Sequence, residues 1–356
     1  MDLISGIPED VARDCLIRLP YHHFPTVASV CKAWGAQIHS PEFHRQRKTA
    51  NHAQKILLTV QSKIQTQITK TGLLAKSASN PVYRLSILEP KSGSWSELGL
   101  GEELGSGLPM FCQIACVGHD LVVIGGWDPE SWKASNSVFV YNFLSAKWRR
   151  GTDMPAGPRT FFACASDQDR TVYVAGGHDD EKNALRSALA YDVPRDAWEM
   201  LPDMARERDE CKAVFRGGAL RVIGGYCTEM QGRFERSAEV LDVGAWRWGP
   251  VEEEFLDEAA CPRTCVDGGA VMYMCRGGDV VGLDGDTWRK IAKVPRELRN
   301  VACVGVLDGA LVVIGSSGFG EPHVGFFLDL KSGAWANLVS PEEFTGHVQS
   351  GCLMEI

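Results

Sequence analysis

Nowhere in the 356 residues is there an apolar run of about 18, so no helix is expected to span a membrane. The first residues carry Asp2, Glu9, Asp10 and Asp14 instead of a basic segment followed by an apolar core, so a secretory leader is not expected. The cytosol is the expected compartment, with the nucleus open to it. There is no long basic block, and the formal charge of -8 argues against nonspecific nucleic-acid binding, which needs a basic surface to displace counterions. Twelve cysteines occur without a single CxxC pair; Cys261 and Cys265 come nearest to a ligand spacing, but neither a second pair nor HxxxH follows. They read as small buried hydrophobes in a reducing compartment. Five of the nine histidines lie at or before His52, the rest stand isolated in the chain, and no GxSxG is present. No metal, cofactor or catalytic group is expected.

What the chain does have is a recurring phrase. Leu88-Glu89, Tyr141-Asn142, Tyr191-Asp192, Leu241-Asp242, Leu283-Asp284 and Leu328-Asp329 are each followed by a tryptophan. Trp95, Trp148, Trp198, Trp248 and Trp335 come six positions after the second residue of the phrase, whereas Trp288 comes four after it. Successive tryptophans are 53, 50, 50, 40 and 47 residues apart, a period that means repeated β-units. The third unit shows the order well: Phe161 to Ala165, Val172 to Gly177, Ala188 to Asp192 and Trp198 to Leu201 are four strands, which make one propeller blade. The tryptophans are expected between neighbouring blades.

Paired glycines close the second strand in several units, as at Gly125-Gly126, Gly224-Gly225 and Gly277-Gly278, and weaken to Gly315-Ser316. Crowding near the axis and a positive φ are the expected reasons. The short fifth unit leaves open whether it completes a blade. The first unit has only three recognisable strands, and residues 61–80 read as a long solvated loop within it. The run Val348 to Met354 is an apolar strand without a unit of its own. Ring closure accounts for both: the tail is expected to complete the first blade and remove two sheet edges.

Residues 1–48 stand outside the period, 49–54 read as a linker, and 55–356 as the repeat region. Apolar groups at Ile7, Val11, Cys15, Leu16 and Leu19 form a helical stripe that starts at Pro8 and stops at Pro20. Val27, Val30, Cys31, Trp34 and Ile38 form a second stripe, which ends at Ser40-Pro41, and Arg45 to Asn51 reads as a polar bridge. So small a module makes a poor core alone, and its apolar faces invite a partner.

The glycine pair, the Tyr-Asp phrase and the spaced tryptophan together resemble the kelch repeat over roughly residues 55 to 356. Ile7-Pro8, Leu16, Leu19-Pro20, Val30-Cys31-Lys32, Trp34 and Ser40-Pro41-Glu42-Phe43 resemble an F-box. Their combination is similar to the plant F-box/kelch-repeat proteins. The resemblance implies a small all-α F-box module followed by an all-β six-bladed kelch propeller closed by the C-terminal strand. It implies a noncatalytic substrate receptor that docks on a Skp1-like adaptor and, through it, a cullin, while the propeller takes a target protein for ubiquitination. Some members of the family act on phenylalanine ammonia-lyase in phenylpropanoid metabolism and others on cytokinin response regulators; nothing in the residues selects between them.

On this reading Ile7, Pro8, Val11, Leu16, Leu19, Pro20, Val30, Cys31 and Trp34 are the expected adaptor contacts, since large apolar anchors typify interfaces. The loops after the glycine pairs, Trp127 to Asn136, His178 to Arg186, Tyr226 to Ser237 and Ser317 to His323, are the natural place for recognition on a rigid ring. Arg159, Arg208, Arg263 and Arg299 recur 10 to 15 residues after a tryptophan on the same face. They either grip carboxylates of the target or belong to the repeat, bonding neighbouring loops. The acidic run Glu252-Glu253-Glu254, with Asp257 and Glu258, reads as a solvated loop between blades. Two rival functions are a kelch enzyme, either a copper oxidase or an iron-dependent specifier, and an interaction scaffold outside any ligase. The first needs a cluster of close metal ligands that the sequence does not offer.

Overall fold

The computed structural model describes residues 3–64, 66–68, 74–76, 81–105 and 107–356. Six four-stranded antiparallel sheets form the blades of a propeller. Numbering blades along the chain and strands outward from the axis, blades 2 to 6 each use four consecutive strands. Blade 1 begins with Val348–Glu355 and continues with Lys55–Ser62, Tyr83–Glu89 and Ser94–Leu98. The expected closure is therefore what the chain does, with Lys55 opposite Glu355 and Leu58 opposite Cys352. Half of the expected loop at 61–80 lies outside the described residues; within it, Thr66–Ile68 and Leu74–Lys76 pair as a short ribbon.

Strand register explains the recurring phrase. In every blade the apolar residue before the acid or amide faces the tryptophan across the outer hairpin: Leu88 and Trp95, Tyr141 and Trp148, Tyr191 and Trp198, Leu241 and Trp248, Leu283 and Trp288, Leu328 and Trp335. Asp192 faces Ala197 across a four-residue turn, whereas Asp284 faces Thr287 across two residues, so Trp288 comes early without losing register. The tryptophans also latch blades together. Trp148, Trp198, Trp248, Trp288 and Trp335 donate their indole N–H to main-chain oxygens of Gly99, Thr152, Pro202, Phe255 and Lys293, each in or after the outer strand of the preceding blade. Trp95, at the seam where the ring closes, stacks on Phe344 with centroids 5.4 Å apart, and its indole nitrogen has no partner among the described residues. Apolar side chains from facing sheets fill the space between blades; Val122 and Val140 of blade 2, for example, share a core with Val172 and Leu189 of blade 3.

The glycine pairs are required by a different neighbour from the one expected. Gly176 and Gly177 have φ of +66° and +83°, and a Cβ would sit 2.3 Å from the Arg208 carbonyl oxygen and 2.4 Å from that of Thr160. The crowding comes from the segments entering blades 3 and 4, not from the axis. In blade 5 the pair itself becomes the turn. Gly277 and Gly278, with φ of +55° and +81°, join Met272–Arg276 to Asp279–Asp284 in a two-residue hairpin. The fifth repeat is short because its loop is gone, and it still has four strands, although the innermost, Val266–Asp267, is only two residues long.

The N-terminal module has four helices, Glu9–Ile17, Phe24–Val30, Lys32–Ile38 and Pro41–Thr49. The second expected stripe is broken where Cys31 is extended, with φ of −159°. The expected polar bridge is mostly the fourth helix: Ser40 Oγ accepts from the Phe43 N–H at 3.2 Å, and Pro41 opens the first turn. Leu16, Phe24, Ile38 and Phe43 share one core with propeller residues such as Phe143 and Met354, so the module is packed onto the ring.

Candidate functional site

Strands alternate in direction, so the loops between second and third strands lie on the same end of the ring as the segments entering each blade. The helical module sits at the other end. Tyr21 packs edge-on against Phe143 in the outer turn of blade 2, and the His44 and His119 rings have centroids 3.8 Å apart at that blade's inner turn. Burial, reinforced by the charge of Arg47, pulls His119 down to about 3, and burial also lowers His44.

Arg47 joins the two parts and was hidden in the sequence inside a basic, polar stretch. It is 0% exposed. Its guanidinium donates to main-chain oxygens of Ile17 at 2.5 Å, Leu19 at 2.6 Å, His52 at 3.0 Å and Ile356 at 3.4 Å, and lies 4.7 Å from the Phe24 ring centre. Burial without a carboxylate partner among the described residues brings it down to about 10. One side chain thus ties the first helix, the linker and the closing strand. Gln54 and Ile356 add a reciprocal main-chain pair, and Lys48 an ion pair to Glu355 at 2.6 Å.

The expected adaptor contacts divide. Ile7, Pro8, Val11, Val30 and Cys31 are exposed, Val30 to 60%. Leu19, Pro20 and Trp34 are half-buried, and the Trp34 indole N–H is donated to the Leu3 carbonyl at 2.5 Å. Leu16 is a correction: at 2% exposure it belongs to the core shared with the propeller and offers no surface to an adaptor.

The four arginines divide as well. Arg159 and Arg208 are each 1% exposed. Arg159 donates to the Gly176 and Ser187 carbonyls and to Ser187 Oγ; Arg208 makes the same contacts to Gly224, Ser237 and Ser237 Oγ, with Glu239 added at 3.0 Å. Each one clamps the base of the loop between the second and third strands of its own blade. Neither can grip a target, and for these two the reading as part of the repeat is correct. Blade 5 has no such loop to clamp, and Arg263 is exposed with no hydrogen-bond or acidic partner among the described residues. In blade 6 the innermost strand already starts at Asn300, pairing it with Ser316 and Val301 with Gly315, so ladder bonds replace the clamp and Arg299 is exposed too.

The missing loop opens a notch of about 1090 Å³ between blades 5, 6 and 1, continuous with the mouth of the axial channel. Among the described residues, four cations line it, Lys63, Arg263, Arg276 and Arg299, against one acid, Glu321. Lys63 is paired to Glu97, and Arg276 to Asp257 and Glu258, which leaves Arg263 and Arg299 without an acidic partner among the described residues. Phe319 stands fully exposed on its rim. On the inner wall, burial pulls His323 down to about 4 and lowers His347, so both are uncharged at neutral pH. In a chain of net charge -8 this is a place for an anion.

Two further groups carry contacts that the sequence does not show. The acidic run is the solvated loop between blades that was expected, and its acids are paired: Glu252, Glu253 and Glu254 with Arg221, Arg206 and Arg236, and Asp257 and Glu258 with Arg276 of blade 5. The histidines isolated in sequence also gather in space. Thr160 Oγ1 is 2.7 Å from His178 Nε2, and His178 Nδ1 is 2.9 Å from Asp209 Oδ2, the connectivity of a hydrolase triad. The Thr160 hydroxyl is buried and Phe161 stacks on the imidazole, so no substrate reaches it; the relay ties three segments of blades 3 and 4 together. No three potential metal ligands converge among the described residues.

Comparison with known proteins places the F-box domain at residues 4–46 and the Kelch motif at residues 110–155 and 158–205. The chain is 48% identical over 363 residues to the F-box/kelch-repeat protein At1g80440 of Arabidopsis thaliana, covering 100% of both chains. It is 46% identical to the F-box/kelch-repeat protein At1g15670 of the same plant, again over 100% of both. Against the Arabidopsis F-box/kelch-repeat protein SKIP20 it is 34% identical over 74% of this chain and 69% of that one.

Proposed function

Since the chain belongs to the plant F-box/kelch-repeat family, we propose that it is the substrate-recognition subunit of an SCF-type ubiquitin ligase. The helical module docks on a Skp1-like adaptor, and through it a cullin, using the exposed groups Ile7, Pro8, Val11, Val30 and Cys31, with Leu19, Pro20 and Trp34 behind them. The propeller holds the target in the notch, where Arg263 and Arg299 bond its carboxylates. The protein does no covalent chemistry itself. It raises the effective concentration of target lysines near the charged E2 by holding both partners on one rigid body. It works in the cytosol and the nucleus.

The observation that supports this most is the opposition of the two surfaces. The exposed apolar groups belong to a module fixed by Arg47 to one end of the ring, and the uncompensated cations lie at the other. The finer reading is that the target is phenylalanine ammonia-lyase or a cytokinin response regulator, as the family resemblance implies, and ubiquitination of each by a reconstituted ligase distinguishes them.

Affinity purification from proteasome-inhibited plant cells tests the whole. The wild-type chain should recover adaptor, cullin and ubiquitinated target, and Arg263→Glu with Arg299→Glu should keep the first two and lose the third. A wild-type chain that recovers no Skp1-type adaptor contradicts the ligase role. A double variant that keeps every target contradicts the notch.

A further inference from the structure

The closing strand Val348–Glu355 runs along the axis beside Gln113–Val117, the innermost strand of blade 2. Between these strands Cys352 Sγ lies 3.0 Å from Cys116 Sγ. A disulfide bond is about 2.05 Å long, so a movement of about 1 Å joins them. Both residues line the axial channel, a cavity of about 560 Å³ whose wall carries eight of the chain's twelve cysteines. The channel is wide enough for a small oxidant. Cys164 and Cys303 also lie close to Cys352, but Cys116 is the thiol it touches.

We propose that Cys116 and Cys352 are a redox modification site, forming a disulfide that fastens the closing strand covalently to blade 2. With hydrogen peroxide as oxidant, the Cys352 thiolate attacks one peroxide oxygen, the O–O bond breaks and the departing hydroxide takes a proton, leaving a sulfenic acid and water. The Cys116 thiolate then attacks that sulfur, the S–S bond forms, the S–O bond breaks, and a second water leaves. Two thiols lose two electrons in all, and one peroxide becomes two waters. Exchange with a cellular dithiol reverses the step. Burial pushes the Cys352 thiol well up, which keeps its thiolate scarce, so the pair answers to sustained oxidant and stays reduced otherwise.

The bond would close a loop between positions 236 residues apart, where cross-linking constrains the unfolded chain most. It would also anchor the strand whose end meets the helical module through Arg47, Lys48 and Gln54. Oxidation thereby stabilises the closed ring and lengthens the life of the folded receptor. This holds whether or not the chain serves a ligase.

The test uses the purified full chain, treated with hydrogen peroxide at low protein concentration and digested without reduction. Mass spectrometry should find the Cys116 and Cys352 peptides joined, with a 2-Da loss, and the melting temperature should rise by about 5 °C and return with dithiothreitol. Cys116→Ser and Cys352→Ser should each abolish both effects. Peptide mapping of the unsubstituted chain decides the pairing even if a variant fails to fold. The proposal is overturned if Cys352 joins Cys164 or Cys303 instead, if both thiols survive after exposed Cys15 and Cys31 are oxidised, or if the bond forms and the melting temperature does not move.

Discussion

Deleting residues 348–356 should unfold the propeller. The segment buries Val348, Met354 and Ile356 almost completely. At about 1.5–3 kcal/mol for each such side chain, their loss alone removes roughly 5–9 kcal/mol. The ladder to Lys55–Gln61 disappears as well, at about 0.5–1.5 kcal/mol per hydrogen bond. Leu57 and Leu58, now buried, would become the face of an open edge beside the axis. A folded domain is stable by only about 5–15 kcal/mol, so the deletion removes an amount comparable to the whole. Circular dichroism melts and limited proteolysis provide the assay: the shortened chain should lack a cooperative transition and be cut throughout the blades. A cooperative melt at the wild-type temperature would refute the closure argument outright.

Three other substitutions and conditions follow from the same contacts. Arg208→Met leaves Glu239 charged and buried without its partner, so chemical denaturation should show a loss of about 3–5 kcal/mol, partly restored by adding Glu239→Gln. Arg47→Met strands the carbonyls of Ile17, Leu19 and His52; a loss of about 3 kcal/mol is expected, with faster protease cleavage between residues 49 and 54. His119 is held far below its ordinary value of 6.5, so the folded chain keeps it neutral while the unfolded chain gains a proton below pH 6.5. Its contribution to stability is complete above pH 6.5 and is lost as the pH falls toward 3, by up to about 1.4 kcal/mol per unit. Melts at pH 7 and pH 5 should differ, and His119→Gln should shrink the difference.

The ring was legible in the chain because repetition amplifies a weak signal. One such two-residue phrase means little, but six of them facing six tryptophans fix strand, turn and register together, and even the early Trp288 obeys the rule once its turn is seen to be short. The closing strand was legible by subtraction, as a strand without a blade facing a blade without a strand. The fourth helix was missed: Ser40-Pro41 read as the end of the second stripe, and the polar residues that follow hid the cap, proline and acid that open a new helix there. The fates of the arginines could not be read. Arg208 and Arg263 occupy comparable places in their repeats, and what separates them is whether a loop folds back to be clamped, a property of residues some 15 positions later. Arg47, the thiol pair at 116 and 352, and the contact of His44 with His119 join segments far apart in sequence, which neither composition nor period encodes.

The central claim is that one end of this molecule is a docking surface for a ligase adaptor. Calorimetric titration of the full chain with a purified plant Skp1-type adaptor tests it most directly, comparing wild type with Val11→Asp combined with Val30→Asp. Both valines are exposed, so the variant should melt at the wild-type temperature. The account predicts a one-to-one complex for the wild type and at least a 100-fold loss of affinity in the variant, about 2.7 kcal/mol. A wild-type chain that gives no heat with the adaptor, or a folded variant that binds as tightly, contradicts it.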